Sequence, residues 1–214
     1  LDSICKTLGV SHQAVTQACF SVALHQFAPT VDTFGLVAAG RSFAFEGAER
    51  VLGPLFNTLP APLSLQADDS WASLIQRCHD FNVAALPYQH TPLRDIKKWC
   101  QRDPTASVFD AIFVFQNLRA NGIQAADKIW APLDDAPKAE YPLAFELELG
   151  ISGELAGTVV ARRDVATGTM LQEFLHCFDV ALKSTGQDAQ QRIAEVLKIT
   201  TTSTTSKPSL NGTD

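Results

Sequence analysis

A chain of 214 residues with 46% hydrophobic and 19% charged residues has room for one large domain or two small ones, buries a sizeable core, and is not disordered by composition. Its formal net charge of −6, with a pI near 5.3, offers no basic face to nucleic acid or to an anionic membrane. Five widely spaced cysteines (Cys5, Cys19, Cys78, Cys100, Cys177) contain no C-x-x-C pair, so neither a zinc site nor a redox motif is supported, and a reducing cytoplasm fits.

The opening LDSICKTLGVSHQAV lies inside a helical pattern and reads as the start of a piece cut from a longer polypeptide. Residues 1–27 are expected as helix, broken near Gly9, with Ser11 capping the second part and Val15, Ala18, Cys19, Val22 and Phe27 at helical spacing. FGLVAAG is a continuous apolar run that suits a strand buried on both faces, and RSFAFEGAER reads as a loop with a short helical turn. GPLFNTLP (Gly53–Pro60) reads as neither helix nor strand. From Ser70, as cap, an amphipathic helix with Trp71, Leu74, Ile75, Cys78 and Phe81 on one stripe runs to about Ala85.

QHTPLRDIKKWC predicts a second helix with Thr91 as cap, Pro92 in the first helical position and Leu93, Ile96 and Trp99 facing inward. Val108–Gln116 is β-branched and aromatic, a strand. Residues 118–142, with glycine, prolines and scattered charge, predict a long irregular connection. LAFELELG alternates strictly, with Leu143, Phe145, Leu147 and Leu149 on one face and Glu146 and Glu148 on the other, and ELAGTVVARR completes a hairpin. A last long helix starts near Thr167 with Leu171, Phe174, Leu175, Phe178 and Leu182 inward, and a short one spans about Asp188–Ile199. The Ser/Thr-rich tail, residues 200–214, reads as an interdomain linker after a domain of residues 1–199. The whole predicts an α/β fold, helices against a mixed sheet.

Chemistry-bearing residues do not form a complete catalytic set. His12, His25, His79 and His176 fall within helices at no ligand-like spacing, and His90 alone sits in a loop before a capped helix. No phosphate-binding glycine loop and no G-x-S-x-G is present, and no metal site is expected. The carboxylates Asp134, Asp135, Glu146 and Glu148 read as solvated charges, while Cys19, Cys78 and Cys177 read as small buried thiols.

Four stretches taken in order are more informative than any residue alone. VLGPLFNTLPAPL resembles the G-x-F-V-N-T-L-P motif of nonribosomal peptide synthetase condensation domains. YQHTPLRDI resembles their H-Q-x-x-P-F-x-x-[LI] motif, and RDPTASVFDAIFVFQN resembles the R-D-x-S-x-x-P-L-F-x-x-x-F-x-x-Q-N stretch that follows. FGLVAAGR resembles the strand and Gly-Arg turn that precede the first motif. The resemblance covers residue 1 to about 198, and its variants are most similar to fungal synthetases, including those that make siderophores.

The resemblance implies one chloramphenicol acetyltransferase-like lobe of a two-lobed domain. The family's catalytic His-His-x-x-x-Asp-Gly motif belongs to the N-terminal lobe and does not occur in this sequence, so the chain resembles the C-terminal lobe. No catalytic residue is therefore assigned here. The implied partners are the N-terminal lobe and the upstream and downstream carrier proteins, whose phosphopantetheine arms carry the thioesters; no cofactor is bound directly.

Asn57, Thr58 and Arg41 are the residues implied at the substrate tunnel. Leu55 and Phe56 are expected to anchor in the core so that Asn57 and Thr58 face the seam between lobes. Gln89, His90 and Pro92 are implied near the carrier-protein entrance. Asn57 has an equally weighted structural reading, as a cap on main-chain groups. The sequence departs from the family pattern at Pro62, where arginine usually follows N-T-L-P, at Val108 in place of proline, and at Leu93 in place of phenylalanine. A non-catalytic carrier-docking lobe, or part of a cyclisation or epimerisation domain, are the alternatives the same fold allows.

Overall fold

Seven residues form α1 (Asp2–Leu8), Gly9 caps it, and Ser11 then accepts a hydrogen bond from Ala14 N to open α2 (His12–Phe27). The computed structural model describes residues 1–41, 53–63, 65–100, 103, 107–117 and 141–200. The readings made for residues 42–52, 118–140 and the tail beyond 200, with Asp134 and Asp135, lie outside these described residues.

The sheet has strand order β2-β1-β3-β4-β5, from β1 (Thr33–Ala38), β2 (Asn57–Pro62), β3 (Ala111–Asn117), β4 (Leu143–Leu149) and β5 (Leu155–Ala161). β1, β3 and β4 run parallel, and β2 and β5 pair antiparallel at the two edges. The expected mixed sheet and the β4–β5 hairpin are both present. In β4 every second residue is buried, as its strict alternation requires.

GPLFNTLP differs from its reading, because NTLPAP forms β2. A proline cannot donate to a ladder, which confines Pro60 and Pro62 to an edge strand, and β2 occupies one. Composition rich in turn residues thus concealed a strand whose one free edge tolerates them.

One face of the sheet meets α2, α3 (Trp71–Ala85) and α5 (Gly168–Gln187), with α2 in contact with both of its neighbours. Nearly the whole circumference of α2 is buried, and its polar residues Thr16 and Ser21 return their hydroxyls to main-chain oxygens one turn back. Phe20 of α2 is the centre of the core. Its ring lies 4.9 Å from Phe113, 5.0 Å from Phe34, 5.9 Å from Phe145 and 6.1 Å from Phe174, uniting three strands and α5. Burying each such ring contributes about 1.5–3 kcal/mol.

Ser70 and Ser73 form a reciprocal capping box at the start of α3, as the cap at Ser70 predicts. The same corner is fastened to the far end of the chain. Trp71, fully buried, donates Nε1–H to Ser184 Oγ at 2.9 Å, Ser184 bonds Gln191 Oε1 at 2.6 Å, and Ile193 N donates to Asp69 O at 2.9 Å. α6 (Ile193–Thr200) closes the described chain, with Ile193 and Val196 packed into the core.

The chain passes from one face of the sheet to the other around the β2 edge. After α3 comes a 3-10 turn, Leu86–Tyr88, and then α4 (Leu93–Trp99), whose Ile96 and Lys97, with Cys100, share a shallow cleft with Thr33, Pro60 and Val108. Pro60 pairs with Gly35 and so lies on the face opposite Phe34, placing α4 there. Two expectations are corrected at this end. Trp99 is 69% exposed, because a seven-residue helix reaches the sheet only through its Ile96 side. α4 also starts at Leu93 with Pro92 in the cap position, one residue later than expected, because the Thr91 carbonyl is taken by Asn57.

Candidate functional site

Three of the four resembling stretches meet at the β2 edge. Asn57 opens β2 opposite Ala38, and its Nδ2 donates to Gln89 O at 2.9 Å and to Thr91 O at 2.8 Å. Gln89, 6% exposed between the exposed Tyr88 and His90, turns its side chain back to accept Gly40 N–H on Oε1 at 3.2 Å. One side-chain amide on each of two segments therefore joins β1, β2 and the turn before α4.

Gly40 is required at this junction on two counts. Its φ is +67°, in the left-handed region, and a Cβ placed on it would lie 1.9 Å from Leu55 O. The same Cβ would come within 3.2 Å of the His90 ring, so Gly40, Leu55 and His90 crowd one point. The next residue, Arg41, donates from Nη2 to Gly53 O at 3.1 Å, joining the two ends of segment 41–53.

Asn57 and Thr58 are adjacent in a strand, so their side chains leave opposite faces. This corrects the expectation that they present one shared surface. Asn57 turns to the 86–91 segment, whereas the Thr58 methyl packs on the far face beside Gly35. A Cβ on Gly35 would lie 2.7 Å from that methyl and 2.4 Å from the Phe109 ring. The expected core anchor is also corrected. Leu55 is half-buried, but Phe56 is 66% exposed, because it precedes the register that buries Leu59 and Ala61.

Pro92 is exposed at the α4 cap, two residues from His90, which is exposed as well. Gln89 is thus the buried member of the Gln89, His90 and Pro92 group. Sequence reasoning placed Gln89 near this edge but missed its bond to Gly40, since nothing local marks a carboxamide as reaching back 49 residues. Its one signal was a buried polar side chain between two exposed neighbours, visible only in the fold.

Elsewhere several titratable groups have structural partners. His12 Nε2 lies 2.6 Å from Asp2 Oδ1. Glu146, read as a solvated charge, instead accepts a hydrogen bond from Gln116 Nε2 on the neighbouring strand. Asp69 is almost fully buried, which opposes its ionisation, but hydrogen bonds from Arg77, Gln66 N and Ser73 prevail and hold its carboxyl below the ordinary value. Burial pushes the Cys78 thiol up to about 12 and the Cys177 thiol up to about 11, and raises Cys19 and Cys5 as well. Cys19, Cys78 and Cys177 are the inert, buried thiols the sequence suggested for helix faces; Cys5 is buried as well, and Cys100 is exposed. Among the described residues, no three His, Cys, Asp or Glu side chains are grouped to hold a metal ion. No helix among them is long and apolar enough to cross a membrane.

Comparison with known proteins places this arrangement in a family. The condensation-domain family model matches residues 1–207. The chain is 45% identical over 181 residues to nonribosomal peptide synthetase 2 of Cochliobolus heterostrophus, covering 85% of this chain and 3% of that protein. It is 36% identical over 179 residues to nonribosomal peptide synthetase sidC of Arthroderma benhamiae, covering 84% of this chain and 4% of that one. It is also 35% identical over 125 residues to the hydroxamate-type ferrichrome siderophore peptide synthetase of Schizosaccharomyces pombe, covering 58% of this chain and 2% of the relative. The chain thus spans a small fraction of these relatives' length.

Among solved structures, the condensation domain of the monacolin K polyketide synthase MokA superposes with a TM-score of 0.71 at 14% identity, covering 90% of this chain and 45% of that one. The four-domain nonribosomal peptide synthetase AB3403 superposes with a TM-score of 0.75 at 15% identity, covering 90% of this chain and 16% of that one. These likenesses establish the fold, that of a chloramphenicol acetyltransferase-like lobe with a mixed five-stranded sheet and flanking helices. With three motif-bearing stretches bonded to one another at a single edge of that fold, and a family match over nearly the whole length, the chain belongs to the condensation-domain family of nonribosomal peptide synthetases.

Proposed function

We propose that this chain is the C-terminal lobe of an amide-forming condensation domain, residues 1–199, followed by a linker, and that it is inactive without the N-terminal lobe that carries the catalytic histidine motif. The observation that carries this reading is the bonded meeting of Gly40, Asn57, Gln89 and Thr91, one set of contacts drawn from three family-like motifs.

In the reaction, the α-amine of an acceptor attacks the thioester carbonyl of a donor. A C–N bond forms, the C–S bond breaks, and the donor's phosphopantetheine thiol leaves as the amine loses its proton. Both reactants arrive on carrier-protein arms, so the lobe's contribution is geometric. It holds one wall of the tunnel in which the arms meet, and restricting their approach is worth several kcal/mol of barrier, on the order of the proximity effects known for intramolecular reactions. Arg41, Asn57 and Thr58 are the proposed tunnel residues. Asn57 acts there by fixing the wall, because its Nδ2 is committed to two main-chain oxygens. Gln89, His90 and Pro92 are proposed at the carrier-protein entrance, where exposed Tyr88 and Leu86 adjoin them.

The ferrichrome siderophore synthetase among the relatives supports a fungal siderophore synthetase as the parent protein, and the five unpaired cysteines support a reducing cytoplasm as its compartment. The test is transfer within that parent synthetase, read as the intact mass of the downstream carrier. Acyl groups are expected to move from the upstream to the downstream carrier, and deletion of residues 1–199 is expected to stop transfer while both carriers still load. Transfer that persists after the deletion contradicts the proposal.

A further inference from the structure

The geometry points to Gln89 as a positioning residue for amide formation, acting through Gly40 on Arg41; this rests on the proposed condensation reading. Gln89 is held at both ends. Its main-chain oxygen is fixed by Asn57 Nδ2 at 2.9 Å, and its side-chain Oε1 in turn fixes Gly40 N–H at 3.2 Å. The side chain is buried, so the Gly40 bond is shielded from competing water.

Gly40 is the last residue before Arg41, and its left-handed backbone sets the direction in which the chain leaves β1. Leu55 O blocks the space on its other side, so the Gly40 peptide has one seat, bounded by the Gln89 carboxamide and the Leu55 carbonyl. Without the Gln89 acceptor, Gly40 N–H loses that bond and the Arg41 side chain loses its fixed origin. Gln89 is buried where its neighbours Tyr88 and His90 are exposed, and its carboxamide is the group that accepts Gly40 N–H.

The test compares Gln89→Met, which keeps the length but removes the acceptor, with Gln89→Glu, which restores an acceptor oxygen. Both are made in the parent synthetase with its own downstream carrier site inactivated, and the loaded downstream carrier protein is supplied separately and titrated. Gln89→Met is expected to lower the saturating transfer rate roughly ten- to a hundredfold while leaving the half-saturating carrier concentration unchanged, because within the entrance group its side chain is buried against Gly40 and presents nothing to a docked carrier. Gln89→Glu is expected to recover most of that rate, and Gln89→Met added to Arg41→Ala is expected to cost nothing further.

Hydrogen exchange of the peptide containing Gly40 gives a reading independent of activity. It is expected to quicken about tenfold in Gln89→Met and to stay slow in Gln89→Glu. Unchanged exchange in Gln89→Met, failure of Gln89→Glu to rescue, or a full additional loss on top of Arg41→Ala overturns the inference. A wild-type synthetase that transfers nothing contradicts the condensation reading instead, and the exchange measurement still decides whether the Gln89–Gly40 bond holds the β1 exit.

Discussion

Asn57 lies 2.8 Å, through its side-chain Nδ2, from the main-chain oxygen of Thr91, and the same nitrogen reaches Gln89 O at 2.9 Å. A single amide thereby replaces a ladder of contacts at a sheet edge that no described strand extends. Removing it leaves two part-buried carbonyls without a donor. Asn57→Ala is expected to cost about 1–3 kcal/mol, and Asn57→Asp more, because a carboxylate would face the two carbonyl oxygens. Chemical denaturation of the two variants checks both the size and the order. Equal stability of Asn57→Ala and wild type contradicts this assignment.

Gly40→Ala places a methyl against Leu55 O at a backbone angle that L-residues rarely adopt. The expected cost is about 2 kcal/mol or more, combining left-handed strain with displacement of the 55–56 backbone. A thermal melt reads it. Gly168→Ala is a control, since a Cβ there meets nothing within 4 Å, and it is expected to be neutral or slightly stabilising.

Asp69 makes stability depend on acid. Its folded carboxyl titrates below the ordinary value of 3.8, so the unfolded chain binds a proton first as pH falls. The stabilisation is complete above the unfolded pKa and is lost as pH drops through the lowered folded one, a window below about pH 4. Asp69→Asn is expected to cost about 3 kcal/mol at neutral pH, because Arg77 keeps its charge without its partner. It is also expected to flatten the fall in stability between pH 4 and 2, to be seen in denaturant midpoints measured across that range. An Asp69→Asn variant with the wild-type acid slope refutes the linkage.

Cysteine labelling tests the core directly. Of the five thiols, Cys100 alone is exposed, while burial holds the other four in the unreactive thiol form. An aromatic disulfide reagent at pH 8 is expected to modify one thiol rapidly and the rest only at the rate of unfolding. Rapid reaction of Cys19 or Cys78 contradicts the packing of α2 against α3.

Helices were legible because their signals are local. Ser11, Ser70 and Thr167 each cap the helix predicted after them, and the strict alternation of β4 fixed its buried face. β2 was not legible, since Pro60 and Pro62 argue against a strand unless one knows that the strand lies at an edge. Trp99 and Phe56 misled for a related reason. Their apolar character predicts burial, yet whether anything covers them depends on tertiary placement, and both are mostly exposed. At the site, the residues Arg41, Asn57, Thr58, Gln89, His90 and Pro92 were named through the family resemblance, but the bonds that Asn57 and Gln89 make, to each other, to Thr91 O and to Gly40 N–H, span 32 to 49 residues and leave no periodic trace. Alternation along β2 would have separated Asn57 from Thr58 had the strand been recognised.

The most direct measurement is amide formation between two loaded carrier proteins, by this chain alone and by the complete condensation domain of its parent synthetase, followed by the mass of the downstream carrier. The complete domain is expected to give the condensed thioester, and the 214-residue chain is expected to leave both carriers unchanged. Robust product from the chain alone would contradict its assignment as half of a two-lobed catalyst.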